Sequence, residues 1–253
     1  MNIFYITRYF FYWQTPSLPC KRQPATIPAE SHPKNFLNIF PMSFFSSTNR
    51  IRRKAETKLN EYNKPSLNFF VLISLSSALA TLGMALNNTS VVIGAMIVAP
   101  LITPVFAFSL GLILFQVKNV LHSLISIFLG TLFGILVSIL TALLIIFING
   151  EFTITSEILG RTEPDLLYFL VAILSGVAGA FAYGRPKLQE SITGIAISVA
   201  IIPPLAVTGI GIALQNFHLM QTSFLLYIFN LCGISFGSIV TFVALGFGKE
   251  GEI

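Results

Sequence analysis

The chain has 253 residues, of which 54% are hydrophobic and only 10% charged, and its formal net charge is +5. An ordinary soluble domain is about 25% charged, so this inventory cannot supply a water-soluble surface. The composition therefore excludes a soluble enzyme and predicts a polytopic helical membrane protein.

The first segment, residues 1–47, is a leader rich in aromatic residues, Pro and Ser, with no apolar run long enough to cross a bilayer. It does not resemble a signal peptide, because Arg8 interrupts its apolar part and no small-residue cleavage site follows. We expect the leader to be disordered, or to be upstream sequence from a misplaced start with Met42 as the initiator.

Residues 48–65 form a second segment, in which apolar residues recur at helical spacing among basic ones. The spacing predicts a short basic juxtamembrane helix. Its partner is either anionic lipid headgroups or only solvent, in which case the helix merely fixes the topology. The headgroup contacts would come from Arg50, Arg52, Arg53 and Lys54. Basic residues beside apolar spans reflect membrane orientation, so we expect no nucleic-acid partner.

Residues 66–248 form the predicted transmembrane domain, with six apolar segments that each approach or exceed the ~20 residues of a spanning helix. They run from Leu67 to Leu86, Ser90 to Phe115, Val120 to Ile148, Leu166 to Tyr183, Ser191 to Leu214 and Ser223 to Phe247. Lys and Arg collect on the connectors that are cytoplasmic if the N-terminus is inside. The positive-inside rule therefore predicts six spans with both termini in the cytoplasm.

Two halves of this domain, residues 66–148 and 163–247, resemble each other when the chain is shifted by about 100 positions. The matched glycines and prolines are Gly94, Pro104 and Gly111 with Gly194, Pro204 and Gly211. Three spans per copy make the second copy enter from the opposite side of the membrane. The expected fold is thus all-α, with six transmembrane helices in two inverted three-helix repeats, an arrangement frequent in secondary transporters.

The middle helix of each copy, which is the second or the fifth span, is predicted to be broken by proline. Proline removes a donor and clashes with the preceding turn, so backbone carbonyls are freed. Thr103 with Pro104 also resembles an N-cap followed by a first-turn proline, as if a second half-helix begins there. Freed carbonyls can coordinate a cation, and half-helix N-termini attract anionic groups. The candidate substrate-binding residues are Pro100, Thr103, Pro104, Pro203 and Pro204.

The alternative is that these prolines are only structural kinks. Proline is tolerated in spanning helices when neighbouring helices or Ser and Thr side chains satisfy the freed groups. Two symmetric breaks weigh against that alternative without removing it.

Other small and polar residues favour packing. The pairs Gly130 with Gly134 and Gly233 with Gly237 have the GxxxG spacing that lets helices approach closely. Four polar side chains either line a polar path or bond within and between helices: Thr131, Asn230, Ser235 and Ser238.

The sequence lacks the residues that metal binding, proton pumping and enzyme catalysis need. His122 and His218 have no partners at ligand spacing, so neither a metal site nor a cofactor is expected. No charged residue falls in the middle of a span, which disfavours a carboxylate-based proton pump. There is also no nucleophile with its base and no phosphate loop, so we do not expect an enzyme.

Four strings carry a resemblance: SVVIGAMIVAPL from Ser90, RTEPDLL from Arg161, LSGVAGA from Leu174 and GIAISVAIIPPL from Gly194. In this order they resemble the uncharacterised hydrophobic membrane proteins labelled domain of unknown function family 389, over nearly the whole chain from 67 to 247. The resemblance implies a prokaryotic multi-pass protein of the cytoplasmic, or inner, membrane. It implies no substrate, because the family's activity is not established. Some members carry an additional soluble domain before the membrane region.

The leading hypothesis from these observations is a transporter of a small solute or ion, with its binding site at the symmetric proline breaks near the midplane. One alternative is a passive channel. Another is a membrane scaffold or assembly partner, whose Gly-rich faces bind other helices, and a homo-oligomer also stays open.

Overall fold

The computed structural model describes Thr57 and residues 66–162, 165–183 and 201–247. Within those ranges the backbone forms helices and no strand. The helices are α1 (Leu67–Ala85), α2 (Thr89–Val98), α3 (Ile102–Ile113), α4 (Val117–Asn149), α5 (Ser156–Leu159), α6 (Leu166–Tyr183), α7 (Ile202–Ala213) and α8 (Phe217–Ala244). The predicted leader and, apart from Thr57, the predicted basic helix lie outside the described residues.

Four of these helices, α1, α4, α6 and α8, are apolar and long enough to cross a membrane. The helices α2 and α3 meet the same criterion as a pair bent by 50°. The second predicted span is therefore interrupted, at residues 99–101. Of the fifth predicted span only the part containing the 12-residue α7 is described, and α7 alone is too short to cross a bilayer.

The surface of α4 shows why this chain suits a lipid environment. Its buried residues are mostly small or hydroxyl-bearing: Ser123, Ser126, Gly130, Gly134, Ser138, Ala142 and Ile145. Its other faces expose large apolar side chains, and Phe128, Leu140 and Phe147 are 67%, 66% and 87% exposed. Such an extended apolar surface is a liability in water and is what hydrocarbon solvates well. The described helices are thus those of a membrane-embedded protein.

Three tight turns, α1–α2, α3–α4 and α7–α8, share one geometry. In each, an amide bonds back to the carbonyl of a glycine five positions earlier, and the residue before that amide has a positive φ. The three bonds join Asn88 to Gly83, Gln116 to Gly111 and Asn216 to Gly211, at 2.8, 2.9 and 2.9 Å. The positive φ values are 50° at Asn87, 53° at Phe115 and 53° at Gln215. Each pair of helices is therefore an antiparallel hairpin.

The glycines in these turns allow the second helix to start directly against the first. A Cβ at Gly211 would lie 2.7 Å from the amide nitrogen of Met220, and one at Gly111 would lie 3.2 Å from that of Val120. Real Cβ atoms essentially never come as close as the first separation, and the second is tighter than most real Cβ contacts. The α3–α4 and α7–α8 hairpins are thus alike at positions that are 100 residues apart.

The directions of the long helices follow from glycine contacts. Gly130 of α4 meets Phe69 and Ile73 of α1, and Gly134 meets Ile73 and Ser77, so α1 and α4 run parallel. Because α1–α2 and α3–α4 are hairpins, α2 and α3 both run opposite to α1. A pair bent by 50° at a short break is a broken span or a re-entrant loop, and the shared direction of α2 and α3 favours the broken span.

The second glycine pair joins α6 to α8. Gly233 meets Phe169, and Gly237 meets Ile173 and Val177, so these two helices also run parallel. All four GxxxG glycines lie at close helix contacts, which confirms their predicted packing role.

The helix α7 ties the two groups of helices together. Leu205 of α7 meets Gly134 of α4, and Gly209 meets Ser138 one turn further on, so α7 runs parallel to α4. Because α7 and α8 form a hairpin, α8 runs opposite to α4.

The connector between α4 and α6 is anchored on the α1–α2 turn. The Ser156 hydroxyl and the Glu157 amide donate to Asn87 Oδ1 at 3.0 and 3.2 Å. The Thr155 hydroxyl donates to the Met84 carbonyl at 2.7 Å. With Ile158 fully buried beneath them, these contacts hold the short helix α5 over one end of the bundle.

Candidate functional site

The interruption between α2 and α3 has a local cause in Pro100. The residue before a proline is driven out of the helical region by the proline ring. Ala99 accordingly has φ −69° and ψ 125°, an extended conformation, and α2 ends at Val98. The chain resumes a helix at Ile102.

A serine of α1 compensates for one hydrogen bond lost at this break. The Ala99 amide donates to the Met96 carbonyl at 3.3 Å, three residues back, and so does not serve the Ala95 carbonyl as a continuous helix would. The Ser76 hydroxyl donates to that Ala95 carbonyl instead, at 2.7 Å and fully buried. Membrane helices tolerate such interruptions when a Ser or Thr hydroxyl replaces the lost backbone hydrogen bond.

The start of α3 differs from the predicted arrangement. Its N-cap is Leu101, in the helical region and with no side-chain cap, so the expectation that Thr103 caps the half-helix is wrong. Thr103 is instead the second helical residue and Pro104 the third. The first turn accepts proline because its amides have no intrahelical partner. The Thr103 hydroxyl lies 3.4 Å from the Tyr183 hydroxyl at the end of α6.

The start of α7 is built from the second predicted proline pair. Pro203 and Pro204 are its second and third residues, both buried, and Ile201 is an N-cap without a side-chain bond. Of the four amides that a helix start leaves unpaired, only those of Ile201 and Ile202 therefore exist. The predicted break in the fifth span falls partly on residues 184–200, outside the described residues, and stays a prediction.

The starts of α3 and α7 pack on one face of α4. Leu101 Cδ2 comes within 2.7 Å of the Cβ position of Gly130, and Leu205 Cδ2 within 2.5 Å of that of Gly134. Ile73 of α1 reaches both positions, at 2.9 and 3.6 Å. Because Gly130 is near the middle of the 33-residue α4, the proline-bearing starts lie within about one helical turn of each other at mid-height.

Two buried serines lie near α7, Ser77 at the level of its first turn and Ser138 beside Gly209 further along the helix. Ser77 Oγ lies 3.0 Å from the Cβ position of Gly134, and Ser138 Cβ lies 2.5 Å from that of Gly209. Both serines are fully buried, and neither hydroxyl has a hydrogen-bond partner within the described structure. An unpaired buried hydroxyl costs about 1–3 kcal/mol, so such a group marks a place where a ligand or water can bind.

Ser76, Ser77 and Ser138 were not among the site residues predicted from the sequence. The one available indication was the Ser76–Ser77 pair in the middle of an apolar span. Which hydroxyl is satisfied and which is not depends on neighbours that only the tertiary structure supplies.

Three of the polar residues considered as lining of a polar path, Thr131, Ser235 and Ser238, make contacts between helices. Ser238 of α8 donates to the hydroxyl of Ser109 on α3 at 2.7 Å, and that serine also lies 3.4 Å from the carbonyl of Ser235. Thr131 of α4 hydrogen-bonds the Tyr227 hydroxyl of α8. These contacts favour a packing role, and Asn230, also buried on α8, belongs to the same helix.

The same part of the chain matches a known family. The family model described as "Domain of unknown function (DUF389)" matches residues 96–236. The chain belongs to this family. In this DUF389 protein the match begins in α2 and ends in α8, so it includes both proline-bearing helix starts. The resemblance drawn from the four sequence strings is thereby confirmed.

A curated relative of this DUF389 chain is an uncharacterised protein of Methanocaldococcus jannaschii. The two are 28% identical over 180 residues, which is 70% of this chain and 53% of the relative. The chain thus spans about half the length of that relative. No solved structure matches this chain.

Proposed function

We propose that this DUF389 protein is a transporter of a small solute or ion that binds at mid-height, where α3 and α7 begin. The observation that supports it is the pairing of two half-length helix starts on the Gly130 and Gly134 face of α4. Interrupted helices of this kind form the midplane binding sites of many secondary transporters, because their ends expose backbone groups. The scaffold alternative has less support, since the GxxxG faces are already used within the fold.

We further propose that six spans form two inverted three-helix repeats. Ser109 of α3 meets Ser238 of α8, and 100 positions away Gly209 of α7 meets Ser138 of α4. The contact of α3 with α8 therefore corresponds to the contact of α7 with α4, if α3 is the counterpart of α7 and α4 the counterpart of α8. The counterparts α4 and α8 run in opposite directions. An inverted repeat has this property and a repeat of the same orientation does not.

In the cytoplasmic membrane of a prokaryote, the proposal places both termini inside and the α4–α6 connector outside. In a variant without the native cysteines, Thr153→Cys, which is exposed on that connector, should react in intact cells with a maleimide that cannot cross membranes. Lys187→Cys should react only after the cells are permeabilised. The reverse pattern would refute both the orientation and the inverted repeat.

Transport itself is tested with purified full-length protein in liposomes. We expect saturable uptake of one solute among labelled sodium, rubidium, chloride and glycerol, with faster entry when the same unlabelled solute is inside. That counterflow requires a carrier that reorients its site. Conductance without saturation or counterflow would identify a channel. If the only solute movement is leakage that does not depend on the protein, the scaffold is the remaining alternative.

A further inference from the structure

Three serine hydroxyls around α7 are fully buried and have no hydrogen-bond partner within the described structure. They belong to Ser77 of α1, Ser138 of α4 and Ser223 of α8, which are helices that pack against α7, and we call these residues the hydroxyl cluster. Ser77 Oγ lies 3.0 Å from the Cβ position of Gly134. Ser138 follows one turn further along α4, with its Cβ 2.5 Å from the Cβ position of Gly209 on α7. The first two serines thus lie within about one helical turn of each other.

Ser223 lies at the same level of the bundle on the third helix. One turn before it, the backbone of Met220 packs against Gly211 of α7, with 2.7 Å between the Met220 amide nitrogen and the Cβ position of the glycine. One turn after it, the Tyr227 hydroxyl hydrogen-bonds Thr131 of α4. These two contacts lie just above and just below the level of the other two serines. The hydroxyl cluster therefore surrounds α7 about one to two turns beyond its start.

The unpaired hydroxyl of Ser138 has a paired counterpart in the other half of the domain. One hundred positions further on, Ser238 of α8 donates to the Ser109 hydroxyl of α3 at 2.7 Å. The residue that faces Ser138 in the place of Ser109 is Gly209 of α7, which has no side chain to offer. The same contact is thus completed within the protein in one half and left open in the other, beside α7. A buried polar group left open in this way is costly unless a bound molecule satisfies it.

The chemistry of the hydroxyl cluster suits an uncharged molecule. A hydroxyl both donates and accepts a hydrogen bond, as do the hydroxyl and amide groups of small neutral solutes. The described helices α1, α7 and α8 contain no Asp, Glu, Lys or Arg, and Lys118 of α4 lies about five turns from Ser138. An ion bound among these helices would lose its hydration without an opposite charge to replace it. We propose that the hydroxyl cluster binds a small uncharged hydrogen-bonding solute such as glycerol or urea. This inference rests on the proposed function, because it names the solute class of that transporter.

The test is protection of a thiol placed in the hydroxyl cluster of purified full-length protein in detergent. Ser138→Cys is combined with Cys20→Ser, while Cys232, which is exposed on α8, is kept as an internal control. Methyl methanethiosulfonate, a small uncharged reagent, is added, and mass spectrometry follows the modification at each position. Glycerol or urea at non-denaturing concentrations should slow the reaction of the Ser138→Cys thiol hyperbolically, because occupied protein cannot react. The reaction of Cys232 should not change, and sucrose at equal osmolality should protect neither thiol.

Two alanine variants in this background show whether the neighbouring hydroxyl holds the solute. Ser77→Ala should raise the solute concentration that gives half-protection by about fivefold or more, since it removes one hydrogen bond to the solute. Ser74→Ala is the matched control, because that hydroxyl lies one turn earlier on α1 and donates to the Phe70 carbonyl of its own helix at 2.8 Å. It should leave the half-protection concentration unchanged. If Ser138→Cys folds poorly, Ser77→Cys with Ser138→Ala gives the same comparison from α1.

The outcomes separate the uncharged solute from the transporter. If the introduced thiol does not react, if neither glycerol nor urea protects it, or if Ser77→Ala and Ser74→Ala behave alike, the hydroxyl cluster is not a solute site. Protection by sodium chloride in place of the neutral solutes would refute the uncharged class and leave an ion transporter standing. Glycerol protection that depends on Ser77, without glycerol uptake in liposomes, would support the site and refute transport through it.

Discussion

Gly237→Ala should destabilise the folded helical domain by about 3 kcal/mol or more, one of the largest effects expected of any single methyl group in this chain. A Cβ at Gly237 would overlap the carbonyl oxygen of Ile173, and it would lie 3.0 Å from the carbonyl carbon of that residue and 3.1 Å from the amide nitrogen of Val177. These are backbone atoms of α6, so no side-chain rotation relieves the overlap. The two helices must separate along their contact.

Gly94→Ala provides the matched control, because the change is chemically identical and also lies within a helix. No described atom lies within 4 Å of a Cβ at Gly94. Alanine is favoured over glycine in a helix by about 1 kcal/mol, so this variant should keep or slightly raise the unfolding midpoint. Thermal unfolding in detergent, followed by circular dichroism, measures both. Equal midpoints for the two variants would show that α6 and α8 are not in backbone contact at Gly237.

The sequence allowed this kind of contact to be predicted but not its partner. The GxxxG spacing identifies Gly233 and Gly237 as a close-packing face, because small residues one turn apart form a continuous groove. That the groove receives α6 is a tertiary fact, which no local pattern carries. For the same reason the bounds of α6, Leu166 to Tyr183, were predicted correctly, whereas its packing against α8 was not predicted.

The site shows the same division between local and tertiary information. Pro100 predicts a break because its effect on Ala99 is local. The role of Thr103 was mispredicted because proline suits any position of the first turn, so the pair Thr103 and Pro104 does not fix where the helix begins. Ser77 escaped prediction because its hydroxyl differs from that of Ser76 only in what surrounds it.

Pro104→Ala and Pro204→Ala should each lower solute uptake per folded molecule by at least about tenfold if the helix starts form the site. Each alanine adds an amide at the third position of a buried half-helix start, where proline leaves none. The new amide of residue 104 can bond to the Pro100 carbonyl and extend α3 backwards. A change in one polar group of a binding site corresponds to about 1–3 kcal/mol of binding free energy, and about 1.4 kcal/mol is tenfold in affinity. Folded yield should stay near that of the unchanged protein, because alanine is the stronger helix former.

Thr103→Val separates the site from packing, since it keeps the shape of the side chain and deletes only the hydroxyl. That hydroxyl lies 3.4 Å from the Tyr183 hydroxyl, a long contact whose loss should cost little stability. If the hydroxyl also touches the solute, uptake per folded molecule should fall while folded yield does not. Structural kinks predict the opposite pattern, in which the proline variants lose folded yield and each remaining molecule works normally. The measurement is therefore the yield of monodisperse protein together with initial uptake per reconstituted molecule for all three variants. Unchanged uptake per molecule throughout would leave Pro104 and Pro204 with a structural role only, which is to start buried helices with fewer unpaired amides.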